Sequence, residues 1–164
     1  MVFRLAKWDS MVKFGTWFTI IVMLGTGVFV LLPLLPDLHE YFWAVVIWFV
    51  LLLFIIITYL LAPRYYLLTG DKLIIRRIIG NIVIDLDEII SVDKVKKPRL
   101  WRVVGNGGLF SYYGLFNDEQ GNKVKVYSTR LTDMVKIQTK TGTFYLSPQK
   151  NAEFIDLLKG RAYV

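Results

Sequence analysis

Two stretches of this chain contain no charged residue and no histidine: Phe14–Leu32, 19 residues, and Tyr41–Leu61, 21 residues. A helix rises about 1.5 Å per residue, so each can cross a hydrocarbon core of roughly 30 Å. The pattern predicts two membrane-spanning helices joined by the short acidic stretch Leu34-Leu-Pro-Asp-Leu-His-Glu40. Their polar residues, Thr16, Thr19, Thr26 and Thr58, can bond back to their own helices. Gly25 and Gly27 thin one face of the first helix, without a clear small-xxx-small repeat. Transport paths are usually marked by ionisable groups inside the membrane, and these spans have none. They read as an anchor.

After Pro63 the period changes to short β-branched and aromatic runs separated by turn residues. Strands are expected at Tyr65–Leu68, Leu73–Ile79, Ile82–Leu86 and Ile90–Val95, with Thr69-Gly-Asp-Lys72 and Gly80-Asn81 as connections and one helical turn at Asp87-Glu88-Ile89. Lys96 to Gly108, with Pro98 and three glycines, reads as irregular. Phe110–Phe116 and Lys123–Ser128 form one expected hairpin, and Met134–Thr139 and Thr143–Leu146 another. Ser147 is placed as a helix N-cap with Pro148 at the first helical position. Ala152, Phe154, Ile155, Leu157 and Leu158 then make an apolar stripe that Gly160 ends. The expected class is α+β with membrane helices: a two-helix hairpin over residues 1–62, then over 63–164 a seven- or eight-stranded antiparallel barrel or sandwich capped by a C-terminal helix.

Charge gives this layout a direction. From Ala62 onward there are 17 Lys and Arg against 10 Asp and Glu, which is the whole net charge of +7. Arg4, Lys7 and Lys13 precede the first span, and Arg64, Lys72, Arg76 and Arg77 follow the second. The loop between carries Asp37 and Glu40, so the positive-inside rule puts both termini and the β domain in the cytoplasm. Trp8, Trp17, Tyr41, Trp43, Tyr59, Tyr65 and Tyr66 lie near the expected boundaries as an aromatic belt. The first run is too long for a cleaved signal's apolar core and lacks a small-x-small end, so it reads as a retained anchor. The chain has no cysteine, which removes disulfides, thiolate metal sites and a thiol nucleophile.

Several stretches resemble bacterial pleckstrin-homology-like (PH-like) domain proteins of the kind that carry two membrane helices before the domain. Tyr66-Leu-Leu-Thr-Gly-Asp-Lys-Leu-Ile-Ile75 is similar to their opening hairpin, and Ile84-Asp-Leu-Asp-Glu-Ile-Ile-Ser-Val92 to their third-to-fourth strand passage. Arg102-Val-Val-Gly-Asn-Gly-Gly-Leu-Phe-Ser-Tyr-Tyr-Gly-Leu-Phe116 is the most specific likeness, and Tyr127-Ser-Thr129 and Tyr145-Leu-Ser-Pro148 match later positions. The resemblance covers Pro63–Gly160 and implies a PH-like fold. It does not imply one activity, because fold does not fix function.

Two groups of residues invite a functional reading. Lys94, Lys96, Lys97, Arg99 and Arg102, with Trp101 among them, form the densest basic cluster, which either rests on anionic lipid or is a solvated loop. In the loop motif Arg102, Gly105, Asn106, Gly107 and Gly108, glycine N–H groups beside an arginine can cradle an anion. The alternative, which the residue types favour, is that the glycines satisfy special backbone turns and Arg102 braces them. No Gly-Lys-Ser/Thr follows, so this is not a P-loop. Catalytic groups are missing: His39 stands alone in the loop, Asp87 and Glu88 suit a helical turn, and Ser111, Ser128 and Ser147 have no histidine to activate them. The expectation is a non-enzymatic interaction or scaffold module, without cofactor, metal or nucleic acid, that binds a protein partner or further copies of itself. Anionic-lipid sensing and service as an auxiliary subunit of a transporter or channel are the alternatives.

Overall fold

A computed structural model describes residues 1–34 and 41–162. Asp37, His39 and Glu40 of the connecting stretch lie outside the described residues. Helix α1 runs over Ser10–Thr26, passes through a π-helical turn at Gly27–Leu31 and ends in the short α2, Leu32–Leu34. Helix α3 covers Phe42–Leu61. Ser10–Phe29 and Phe42–Leu61 are each long and apolar enough to cross a membrane. Only 11% and 6% of their most apolar windows are buried, whereas the core helix of a soluble protein is mostly covered.

The threonines divide by role. Thr19, Thr26 and Thr58 donate to the carbonyls of Gly15, Val22 and Phe54 at 2.8–2.9 Å, the back-bonding expected of hydroxyls in apolar helices. Thr26 also accepts from the Trp48 indole N–H at 3.2 Å, tying α1 to α3. A Cβ on Gly27 would stand 3.0 Å from the Trp48 ring, so the glycine lets that ring lie against the helix. Thr16 turns its hydroxyl to the β domain, where Thr58 also meets the side chain of Tyr113.

Nine strands follow α3: β2 (Pro63–Leu68), β3 (Lys72–Arg77), β4 (Ile82–Asp85), β5 (Ile89–Val95), β6 (Trp101–Gly107), β7 (Tyr112–Asn117), β8 (Lys123–Ser128), β9 (Met134–Thr139) and β10 (Gly142–Leu146). A further strand, β1 (Val2–Arg4), precedes the membrane helices and pairs with β2, setting Phe3 opposite Tyr66. The strands form two open sheets, ordered β1-β2-β3-β4 and β5-β9-β10-β8-β7-β6. The β-rich domain with its C-terminal helix is therefore as expected, but the strand count and the all-antiparallel pairing are not. Strand β10 lies parallel to β8, Tyr145 opposite Val126, because it returns from the tight β9–β10 turn into the place beside β8.

Three local readings change as well. Lys96–Gly108 is not wholly irregular, since β6 pairs with β7 across a bulge between Arg102 and Val104. Gly105 serves close approach to Gly114 of β7: a Cβ on Gly105 would fall 2.2 Å from the Tyr113 carbonyl oxygen, and one on Gly114 2.3 Å from that of Val104. Ser147 caps no helix. Its hydroxyl accepts from the Thr129 N–H at 2.9 Å, its carbonyl from the Ala6 N–H, and Pro148 bridges to Leu5. Helix α4 consequently starts at Asn151, and it runs through Gly160 to Ala162.

The core follows from strand alternation. Tyr66, Leu68, Leu73, Ile75, Val92, Ile137 and Leu146 meet Phe154 and Leu158 of α4, with Phe3 closing the edge. Tyr66 is thus a core residue and not part of an aromatic belt; its hydroxyl donates to the Tyr127 carbonyl at 2.7 Å and accepts from the Ser147 N–H at 3.0 Å. A second cluster joins Tyr112, Phe116, Val124, Val126, Met134 and Tyr145 to Val12 of α1. The first turn of α1 is therefore seated in the β domain.

Candidate functional site

The junction between that turn and the β6–β7 segment is held by several polar contacts. Asp9 ends an extended tail and starts α1, its side chain accepting from the Val12 N–H at 2.9 Å. A carboxylate suits that position because the first turn of a helix leaves N–H groups unpaired. The same carboxylate accepts from the Tyr112 hydroxyl at 3.0 Å and the Leu131 N–H at 3.3 Å. Burial, with the Asp9 charge beside it, pushes the Tyr112 phenol above its ordinary range.

One turn further along α1, Thr16 accepts from the Phe110 N–H at 2.8 Å. Phe110 has φ 63°, a left-handed conformation that a bulky residue adopts only when its surroundings hold it there. Its ring meets Tyr59 of α3 edge-on at 5.2 Å, and the Arg64 guanidinium lies 3.9 Å from the centre of that Tyr59 ring. Asn106 braces the turn, donating to the carbonyls of Leu109 and Ser111 and accepting from the Leu109 N–H. The Ile79 N–H bonds to the Leu60 carbonyl at 3.2 Å, so the β3–β4 connection reaches the end of α3. Both apolar helices are joined to the domain at their domain-side ends.

The five clustered cations differ in their neighbours. Lys94 pairs with Asp133 at 2.9 Å, and Arg130 holds the same carboxylate at 2.7 Å. Hydrogen bonding from Lys94 is the main cause that keeps the Asp133 carboxyl below its usual range. Arg99 approaches Glu119 at 3.6 Å and, with Lys97, lines a shallow groove that also holds Asp118 and Lys136. Lys96 is exposed, and its carbonyl accepts from the Asp133 N–H. Arg102 departs from the others: its guanidinium lies over Gly107 and lines a cleft against α1 with Ser10, Met11 and Phe14. Of the loop motif, Gly105 makes the strand contact, Asn106 braces the turn, and Gly108 sits against α1 near Gly15.

Asp9, Thr16, Phe110 and Tyr112 were not singled out by their sequence pattern. An aspartate one residue before an apolar helix is a readable N-cap signal, but its second partner lies 103 positions away. The buried hydroxyls of Ser111 and Ser128 have no hydrogen-bond partner among the described residues. Among the described residues no group of three His, Cys, Asp or Glu is placed to hold a metal ion.

A family model described as Bacterial PH domain matches residues 64–162, from the second residue of β2 to the end of α4. No curated protein and no solved structure matches the chain.

Proposed function

As this chain belongs to the bacterial PH domain family, we propose that it is a membrane-anchored, non-enzymatic interaction module. It presents its β domain at the cytoplasmic face of a bacterial inner membrane and binds a protein partner or further copies of itself. The observation that carries this reading is the joint between anchor and domain, Asp9 to Tyr112 and Thr16 to Phe110. An anchor on a floppy tether would only localise the domain; one bonded at several points also sets which surface the domain turns outward. The open strand β6, exposed at Trp101, Val103 and Val104, is then the surface offered for strand addition.

Single cysteines test this, because the chain has none of its own. With Val103→Cys in native membranes, crosslinking should capture a discrete partner band or a dimer. Recovery of monomer alone, with the same reagent labelling the cysteine fully, would count against the module reading. A reporter fused within the connecting stretch 35–40 should report the outer side of the membrane, and a cytoplasmic signal there would overturn the orientation.

The auxiliary-subunit reading has one observation of its own. Leu24, Gly27, Val28, Val45 and Trp48 line an apolar groove of about 360 Å3 between α1 and α3. Replacing both spans by unrelated apolar helices separates the readings. Retained partner capture assigns recognition to the β domain, and its loss assigns it to the spans.

A further inference from the structure

A cleft of about 470 Å3 opens where the β6–β7 turn meets the first turns of α1. Its apolar lining includes Leu109 and the exposed Met11 and Phe14, which are 67% and 72% accessible. Its polar lining includes Ser10, Thr19, Asn106 and Arg102. The Arg102 guanidinium occupies the space beside Gly107, where a Cβ would stand 3.0 Å from its Nη1. Lys94 and Arg99 each have a carboxylate partner, whereas exposed Arg102 has none among the described residues.

We infer that this cleft holds one anionic phospholipid of the membrane that the anchor crosses, with the headgroup phosphate on Arg102 and an acyl chain over Met11 and Phe14. The inference rests on the membrane-anchor reading. The uncharged run of α1 begins at Phe14, so the cleft straddles the level at which the helix leaves water for hydrocarbon. A ligand there must offer an anion and an apolar chain within a few ångströms of each other. Free phosphate would leave the Met11–Phe14 wall wet, and a fatty chain alone would leave Arg102 unpaired. A planar guanidinium matches phosphate oxygens with two parallel hydrogen bonds, which a lysine ammonium cannot do. Because the same turn holds Phe110 against Thr16, the lipid would bind beside the joint that orients the domain.

Full-length protein extracted gently from phosphatidylglycerol-containing membranes, then weighed by native mass spectrometry, tests this. Wild type should retain one phosphatidylglycerol, Arg102→Gln should lower that occupancy about tenfold, and Arg102→Lys should recover part of it. Lys123→Gln, an exposed cation on β8 away from the cleft, should behave as wild type. Equal retention by wild type and Arg102→Gln overturns the assignment. So does displacement of the lipid by millimolar inorganic phosphate, which would make the cleft a site for the free anion. Alkaline carbonate washing of the membranes separates the two levels. Protein released to the supernatant sinks anchor and cleft together, while protein kept in the pellet with Arg102 indifferent sinks the cleft alone.

Discussion

The Asp9 carboxylate lies 3.0 Å from the Tyr112 hydroxyl while also capping the first turn of α1 through the Val12 N–H. One side chain thus begins the first apolar helix and fastens it to the second core cluster. Removing it loses a cap worth about 0.5–2 kcal/mol and strands a buried phenol, so Asp9→Ala should cost about 2–3 kcal/mol. Tyr112→Phe, which keeps the ring, should cost about 1 kcal/mol. The double variant should cost less than the two singles together, because they share one bond. Denaturant titration in a fixed detergent measures all three, and strict additivity would mean that Asp9 and Tyr112 act independently.

The same phenol gives the fold an alkaline limit. Tyr112 is raised chiefly by burial and then by Asp9, and Tyr66 is raised by its complete burial despite its Ser147 bond. A phenol raised in the folded state binds its proton more tightly there than in the unfolded chain. Its contribution is therefore full below the unfolded value of about 10 and is lost as pH rises beyond it toward the folded value. Unfolding free energy followed from pH 8 upward should stay level until about pH 10 and then fall. Tyr112→Phe should flatten that fall, and an unchanged slope would show that the phenol ionises freely in the native protein.

Gly105 and Gly114 face each other across β6 and β7, at φ 124° and 121°, each against the other strand's backbone. An added methyl at either position meets a carbonyl oxygen, a rigid neighbour that cannot swing aside. Gly105→Ala and Gly114→Ala should each cost about 3 kcal/mol or more, as overpacking and backbone strain add. Gly121 also has positive φ, at 81°, but nothing stands within 4 Å of its added Cβ. Gly121→Ala should therefore cost only about 1 kcal/mol. Comparable losses at all three sites would place the effect in backbone conformation alone.

These glycines also explain what could and could not be read from the sequence. The apolar helices and most strands were legible because each announces itself by a local period. Strand β6 was not, since glycine inside a strand looks like a turn until its opposite glycine is known. Strand β1 is three residues long, and its partner begins some sixty positions later, beyond any local pattern. Ser147 and Pro148 form a sound capping signal, but Leu5 and Ala6 take their backbone groups first. The basic cluster is contiguous in sequence, yet a strand end, a turn and a second strand send its members to separate neighbours. Gly160 offered a stop signal and instead lies within α4, with open space around its added Cβ. Gly160→Ala should therefore raise stability by about 0.5–1 kcal/mol, and a loss there would restore Gly160 as the helix terminator.

Thr16 and Phe110 provide the sharpest test of the joint. The Thr16 hydroxyl accepts from the Phe110 N–H of the domain, and the residue is 2% exposed. Thr16→Val keeps the shape but leaves the Phe110 N–H buried without an acceptor, at a cost of about 1–3 kcal/mol. That cost should fall on the turn before it falls on the whole fold, since Phe110 holds an unfavourable φ that only its surroundings maintain. Amide exchange at 107–111 should therefore quicken in Thr16→Val while the β8–β10 core stays protected. Thr16→Ser, which restores the hydroxyl, should return exchange at the turn to the wild-type rate. If Val and Ser behave alike, the helix is held by packing of Val12 and the Tyr59–Phe110 rings, and the hydrogen bond contributes nothing to orienting the domain.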